Sequence, residues 1–154
     1  MHSRVEDQLS ALGVTLPAPA APAANYVPYT ISGSQIYVSG QVPVGPSGLE
    51  FQGKLGAGIS LEDGQAAARL CAINLLAQAR AAAGGDLDRI RCIKLGGFVN
   101  CTPDFDQHPA VMNGASDLIA QALAPHGTHA RFAVGAPSLP FNVAVEVDGL
   151  FELI

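Results

Sequence analysis

The stretch from Ser60 to Gly84-Gly85 limits this fold more than any other part of the chain, because it runs without a proline and is bounded at both ends by residues that delimit a helix. Ser60 offers a side-chain oxygen to the first turn, Glu62 and Asp63 complement the positive end of the helix dipole, and the glycine pair stops the turn. Apolar Ala66, Leu70, Ile73, Ala77 and Ala81 keep helical spacing, with Arg69 and Arg80 on the wetter side. One long helix is therefore expected, and the segments around it read mainly as strands.

Before it, Tyr29-Thr30-Ile31 and Gln35 to Val42 flank Ser32-Gly33-Ser34, a turn glycine between β-branched and aromatic runs, which predicts a hairpin. Gly45 to Gly58 reads as loop, with a short strand at Leu49 to Phe51; its Gly56-Ala57-Gly58 lacks the third glycine of a dinucleotide fingerprint. After it, Ile90 to Val99 reads as a strand whose Gly96-Gly97 suggests a bulge or a close backbone approach. A second helix starts near Pro109 and carries Val111, Ala115, Leu118 and Leu123 toward Gly127. Strands follow at Ala130 to Gly135 and Val143 to Leu153, the latter with Val143, Val145 and Val147 on one side and Ala144, Glu146 and Asp148 on the other. At the front, Ser3-Arg4-Val5-Glu6 has capping-box spacing ahead of Val5, Leu9 and Leu12, and the proline-alanine run from Thr15 to Pro28 must be an extended strap. The order is α+β, a mixed sheet with two main helices on one face plus a short N-terminal helix. We divide the chain into residues 1–24, helix and strap, and a single domain at 25–154.

Too few elements remain to cover the other face of that sheet. Only 14% of the 154 residues are charged, against about 25% in an ordinary soluble domain. Both observations point to a further subunit. A net charge of −5, with Lys54 and Lys94 the only lysines, opposes nucleic-acid binding, for which clustered cations are needed; Arg89 with Arg91 comes nearest to a basic patch. No apolar run reaches the roughly 18 to 20 residues of a membrane span. The N-terminus lacks a secretory pattern, so a cytoplasmic location is expected, with Cys71, Cys92 and Cys101 reduced.

Three features carry candidate chemistry. Arg131, within Ala130-Arg131-Phe132-Ala133, and Glu146, within Val145-Glu146-Val147, are charges in apolar strands, either a structural pair or edge charges or the anchors of a ligand. Ser39-Gly40-Gln41 interrupts the hairpin strand, as a β-bulge or as exposed backbone for a ligand. His126-Gly127-Thr128-His129 spans a glycine turn with no cysteine or carboxylate cluster beside it, and reads as loop rather than metal site.

Tyr26-Val27-Pro28-Tyr29, Ile36 to Pro43, Asn74 in the long helix, Asp104-Phe105, Val111-Met112-Asn113, Ala130 to Val134, Leu139-Pro140 and Val145-Glu146-Val147 follow one another in an order that resembles the RidA/YjgF family of enamine/imine deaminases. The likeness runs from about Asn25 to the C-terminus, and the helix and strap ahead of it resemble a subgroup. It implies a chorismate-mutase-like subunit in a homotrimer whose sheets form a barrel, with sites between subunits. It implies hydrolysis of reactive 2-imino or enamine acids to 2-oxo acids and ammonia. Arg131 would bind the substrate carboxylate and Glu146 would position the attacking water, while Gly40 and Ala133 offer backbone groups and Tyr29, Ser39 and Asn113 line the cleft. Neither a metal nor an organic cofactor is implied, and the partners are a small carboxylate substrate and two further copies of the chain. The alternative is a non-catalytic trimer that binds small carboxylates.

The chain departs from the family pattern at Ala133, where cysteine is frequent, at Ser116, where an aromatic is common, and by four extra residues around His108-Pro109. The loop after Tyr29 is also shorter.

Overall fold

The computed structural model describes residues 3–22 and 24–154. Met1, His2 and Ala23, all within the segment 1–24, lie outside the described residues. Five strands make the main sheet: β1 Tyr29–Ser32, β2 Gln35–Gln41, β3 Ile90–Asn100, β4 Ala130–Ala136 and β5 Val145–Leu153. Their spatial order is β1-β2-β5-β3-β4. Every neighbouring pair is antiparallel except β3 with β4, which are parallel. Parallel neighbours need a crossover, and the helix α3, His108–Ala122, supplies it. With α1, Arg4–Ala11, and α2, Leu61–Ala82, the expected α+β order is present, with α2 and α3 on one face of the sheet.

The hairpin closes where it was expected, over Gly33-Ser34, with Gly33 in the left-handed region at φ 62°. The loop that follows differs from expectation. Leu49 to Phe51 is not a strand of its own: Gly48–Leu49 pairs with Val44–Gly45, and Phe51, at φ 55°, turns out of extended geometry. Lys54–Leu55 and Gly58–Ile59 form a second small ribbon, so Gly56 and Ala57 serve a tight turn.

Both caps of α2 are as read from the sequence, with Ser60 Oγ accepting from the Asp63 amide. The apolar stripe is not. The residues facing the core are Gly64, Ala67, Ala68, Cys71, Ala72, Leu75, Leu76 and Ala79; of the expected stripe Ala77 is buried, whereas Ala66 and Ala81 are exposed and Leu70 and Ile73 half-buried. Small side chains settle the choice. A Cβ on Gly64 would meet Leu55 and Val111, and one on Gly114 of α3 would strike the backbone of Gln65, so the helices touch through the face that permits closest approach. Leu70 and Ile73 instead floor a cleft of about 450 Å³ beneath the strap.

The Gly96-Gly97 pair gives close approach on both faces of β3. A Cβ on Gly96 would sit 2.7 Å from the ring of Phe132, while Gly97 makes room for Met112 of α3. The bulge of this strand falls at Cys92 to Lys94. On the helix-free face, Tyr37, Phe98, Phe132 and Val134 are between 36% and 47% exposed, an aromatic and aliphatic surface without cover in the single chain. Phe98 and Phe132 pack edge to face at 5.4 Å, with Lys94 Nζ 5.7 Å from the Phe132 ring.

At the N-terminus Ser3 caps α1, and one carboxylate anchors it: Asp88 accepts from Ser3 Oγ at 3.0 Å and from the amides of Arg4 and Val5 at 3.0 and 2.9 Å. Burial alone would raise the Asp88 carboxyl, and these hydrogen bonds outweigh it, holding the group below the usual aspartate value. The strap lies extended against α2, where Gln78 Nε2 donates to the Ala20 carbonyl at 2.8 Å.

Candidate functional site

Glu146 enters the site from β5 by alternation. Val145 and Val147 turn inward to the helices, so Glu146 turns to the helix-free face, in register with exposed Phe98 of β3. On its other side β2 bends away, its register slipping between Val38 and Gln41. Gly40 sits at that slip, and a Cβ there would overlap the Glu146 carboxyl group. The bulge and the ligand reading of Ser39-Gly40-Gln41 are thus compatible, since the bulge is what brings bare backbone against the carboxyl. Asn74 holds the bend from α2 by donating to the carbonyls of Val42 and Val44 at 3.0 and 3.1 Å.

A cleft of about 550 Å³ opens here, lined by Tyr26, Gly40, Asn74, Phe141, Glu146 and residues of the strap. Its lip is conformationally unusual: Phe141 and Asn142 have φ of 59° and 56°. Asn100 over-determines that lip. Fully buried at the end of β3, it donates to the Gly53 and Val143 carbonyls and to Asn142 Oδ1, and accepts from Lys54 Nζ. Burial, reinforced by the neighbouring Asp148, raises the Glu146 carboxyl above its ordinary value. Tyr29 and Ser39 line a shallower groove that shares Tyr26 with this cleft, and Ser39 Oγ donates to the Val27 carbonyl at 2.9 Å.

Arg131 lies elsewhere. On β4, the sheet's other edge, it pairs in register with buried Leu95 and therefore faces the helix side. Its Nη1 donates to Ser116 Oγ and its Nη2 to the Pro109 carbonyl, both at 3.0 Å. Ser116 is held in turn. His129 Nδ1 must donate to the Gly127 carbonyl at 2.7 Å, which leaves Nε2 to accept from the Ser116 hydroxyl at 2.9 Å. The serine that replaces an aromatic, and the Pro109 of the four extra residues, are thus the two neutral groups that seat the guanidinium. Ala133 packs its methyl on the core from the strand at the sheet edge, and Asn113 is exposed on α3.

The seven candidate residues therefore fall into two groups. Tyr29, Ser39, Gly40 and Glu146 belong to the side of the sheet where β1, β2 and β5 meet; Arg131, Ala133 and Asn113 belong to β4 and α3. Glu146 and Arg131 are two strands apart, roughly 10 Å across the sheet, and on opposite faces. Among the described residues no ion pair joins them, so the structural-pair reading of these two charges is not what the chain adopts. Arg91 of the weak basic patch is paired with Glu152. His126 lies in the loop before β4, and no three His, Cys, Asp or Glu side chains among the described residues stand together as metal ligands would. No helix among them is long and apolar enough to cross a membrane. Sequence reading passed over Asn100 and Phe141 and gave Ser116 no role. Only Ser116 carried a signal, as a departure from pattern.

The comparisons agree with this architecture. A family model described as YjgF/chorismate mutase-like, putative endoribonuclease, matches residues 6–153. Protein TCP17 of Trypanosoma cruzi is 52% identical over 152 residues, 97% of this chain and 94% of that protein. The crystal structure of a putative endoribonuclease from Shewanella oneidensis superposes with a TM-score of 0.94 at 38% identity, covering 99% of this chain and 100% of the other. Escherichia coli TdcF with bound serine superposes with a TM-score of 0.60 at 25% identity, over 89% and 93% of the two chains.

Proposed function

Because the chain belongs to the YjgF/chorismate mutase-like family, we propose that it hydrolyses 2-imino and enamine acids to 2-oxo acids and ammonia, in clefts formed between the subunits of a homotrimer. The observation that carries this reading is the pair of charges described above. Arg131 is seated only by neutral acceptors, so its charge is left for an anion. Glu146 is a carboxyl raised above its ordinary value against bare backbone, which suits a base.

The chemistry asks little more. The substrate carboxylate takes the planar fork of Arg131. Water adds to the C2 carbon of the imine as Glu146 accepts its proton, a C–O bond forming while the C=N π pair moves to nitrogen. Glu146 returns that proton to nitrogen to give a carbinolamine, the hydroxyl proton then moves to nitrogen, and the C–N bond breaks as the C=O bond forms, releasing ammonia and the 2-oxo acid. An enamine enters the same path after protonation at carbon. Positioning supplies most of the acceleration, since the imine is already electrophilic. The serine bound to TdcF, an amino acid of the same size class, supports a small carboxylate ligand.

The ribonuclease reading in the family description is opposed by the charge distribution. The chain carries net −5, and Arg91 is paired with Glu152.

The test is ammonia release from 2-iminobutanoate generated by an amino-acid oxidase, with Arg131→Ala and Glu146→Gln each inactive alone. Mixing the two variants after subunit exchange restores about a quarter of wild-type activity, because a site drawing Arg131 from one chain and Glu146 from its neighbour is intact in one of four random pairings. No recovery on mixing would overturn the shared site. Unchanged activity in Arg131→Ala would overturn the function, and a bound 2-oxo acid without turnover would favour the non-catalytic alternative.

A further inference from the structure

At the other end of β4 from Arg131, a cleft of about 540 Å³ lies where β3 ends and α3 begins, lined by Lys54, Cys101, Phe105, His108, Gly135 and Pro137 among others. Cys101 Sγ stands 3.3 Å from His108 Nε2. The imidazole is oriented by Phe105, whose ring meets it edge to face at 5.3 Å between centroids. Gly135 leaves the space beside the pair open: a Cβ there would be 2.7 Å from His108 Nε2 and 2.8 Å from Cys101 Sγ. Lys54 Nζ is bound by Asn100 Oδ1 and the Pro137 carbonyl, both neutral, so its charge is not cancelled. Cysteine, base, open approach and cation therefore share one cavity. Proline, alanine and phenylalanine supply apolar walls.

We propose that Cys101 and His108 form a nucleophilic thiol site for small electron-poor alkenes that carry a carboxylate, with Lys54 receiving the anionic end. This proposal is independent of the deaminase reading. In the reaction, His108 Nε2 takes the thiol proton, and Sγ forms a bond to the β-carbon of the alkene. The C=C π pair moves to the α-carbon, which takes the proton back from the imidazolium. A thioether results, with no oxidant or reductant consumed.

The other two cysteines are internal controls. All three cysteines are buried, but Cys101, at 8% exposure, lines the cleft, whereas Cys71 and Cys92, at 0% and 1%, sit in the core, where burial raises both thiols, Cys92 to about 12. A free cysteine is only a few per cent thiolate at pH 7, so complete activation accelerates addition by up to about thirtyfold. The experiment treats the intact protein with limiting N-ethylmaleimide or 3-maleimidopropionate at pH 7, against glutathione as the free-thiol reference, and maps the labelled peptide. Cys101 is expected to be labelled alone, about tenfold faster than glutathione, and faster still by the anionic maleimide. His108→Asn slows labelling about tenfold, and Lys54→Gln removes the preference for the anionic probe. Labelling at the glutathione rate, equal labelling of Cys92, or an unchanged rate in His108→Asn overturns the proposal. The wild-type rate and peptide map decide the matter even if a variant fails to fold. Deaminase activity retained after Cys101 is labelled separates this site from the one above.

Discussion

The two halves of the candidate site are built on opposite physical plans. Around Arg131 the charge is fixed by a chain of neutral hydrogen bonds, Gly127 to His129 to Ser116 to the guanidinium, and Pro109 holds the second nitrogen. Around Glu146 no donor to the carboxyl stands among the described residues; glycine backbone and an aromatic neighbour adjoin it, and burial raises its proton affinity. One half is a hydrogen-bonded cation, the other a carboxyl raised above its ordinary value at an open cleft. A chain that keeps this arginine and this glutamate on opposite faces has avoided cancelling them against each other. Each remains available to something from outside.

Four experiments probe this contrast. Arg131→Ala removes two charge-assisted bonds to a substrate carboxylate, worth about 1.5 to 3 kcal/mol each, so kcat/KM falls roughly 10² to 10⁴-fold. Arg131→Lys recovers little, because a point charge cannot use the fork.

Glu146→Gln lowers kcat by about 10² to 10³-fold with a smaller change in KM, as expected for loss of a base. It also moves stability in a direction that identifies the environment. A carboxyl whose folded pKa is raised contributes stability that is complete below its unfolded pKa and lost as pH rises through the folded value. The variant is therefore more stable than the wild type at pH 7, with the difference closing toward acid pH in thermal melts. A variant less stable at neutral pH would show that the carboxylate is satisfied.

Asn100→Ala leaves several buried acceptors without a donor and costs about 3 kcal/mol in denaturant unfolding. Hydrogen exchange should loosen first around Asn142 and Val143, on the Glu146 side, while the α3 amides near Arg131 stay protected. Ser116→Ala gives the smallest effect, a rise in KM of about fivefold at nearly constant kcat, because it frees the guanidinium without removing it.

What was legible in the sequence follows from how local each determinant is. Ser60, Gly84-Gly85, Gly33 and Ser3 act within a few residues of themselves, and the caps and the turn stand where their chemistry requires. The alternation from Val145 to Asp148 told which side of β5 carries Glu146, whereas Val143 and Ala144, expected on opposite sides, precede the strand and are both buried. The buried face of α2 was not legible, because an alanine-rich helix has apolar residues all round and only its neighbour selects one stripe. Asn100 and Ser116 look like ordinary polar residues in the chain; their roles come from carbonyls and side chains 13 to 47 positions away. The RidA/YjgF resemblance named all seven candidate residues, but their separation onto two edges appears only once strand order is known.

Phe141 has one more consequence, which concerns how far this protein can be improved. A left-handed backbone at a bulky residue costs about 1 to 2 kcal/mol that glycine does not incur. Phe141→Gly should therefore raise the melting temperature while stripping an aromatic wall from the cleft beside Glu146. Selection for heat resistance alone would drift toward that substitution, and selection for turnover would drift back.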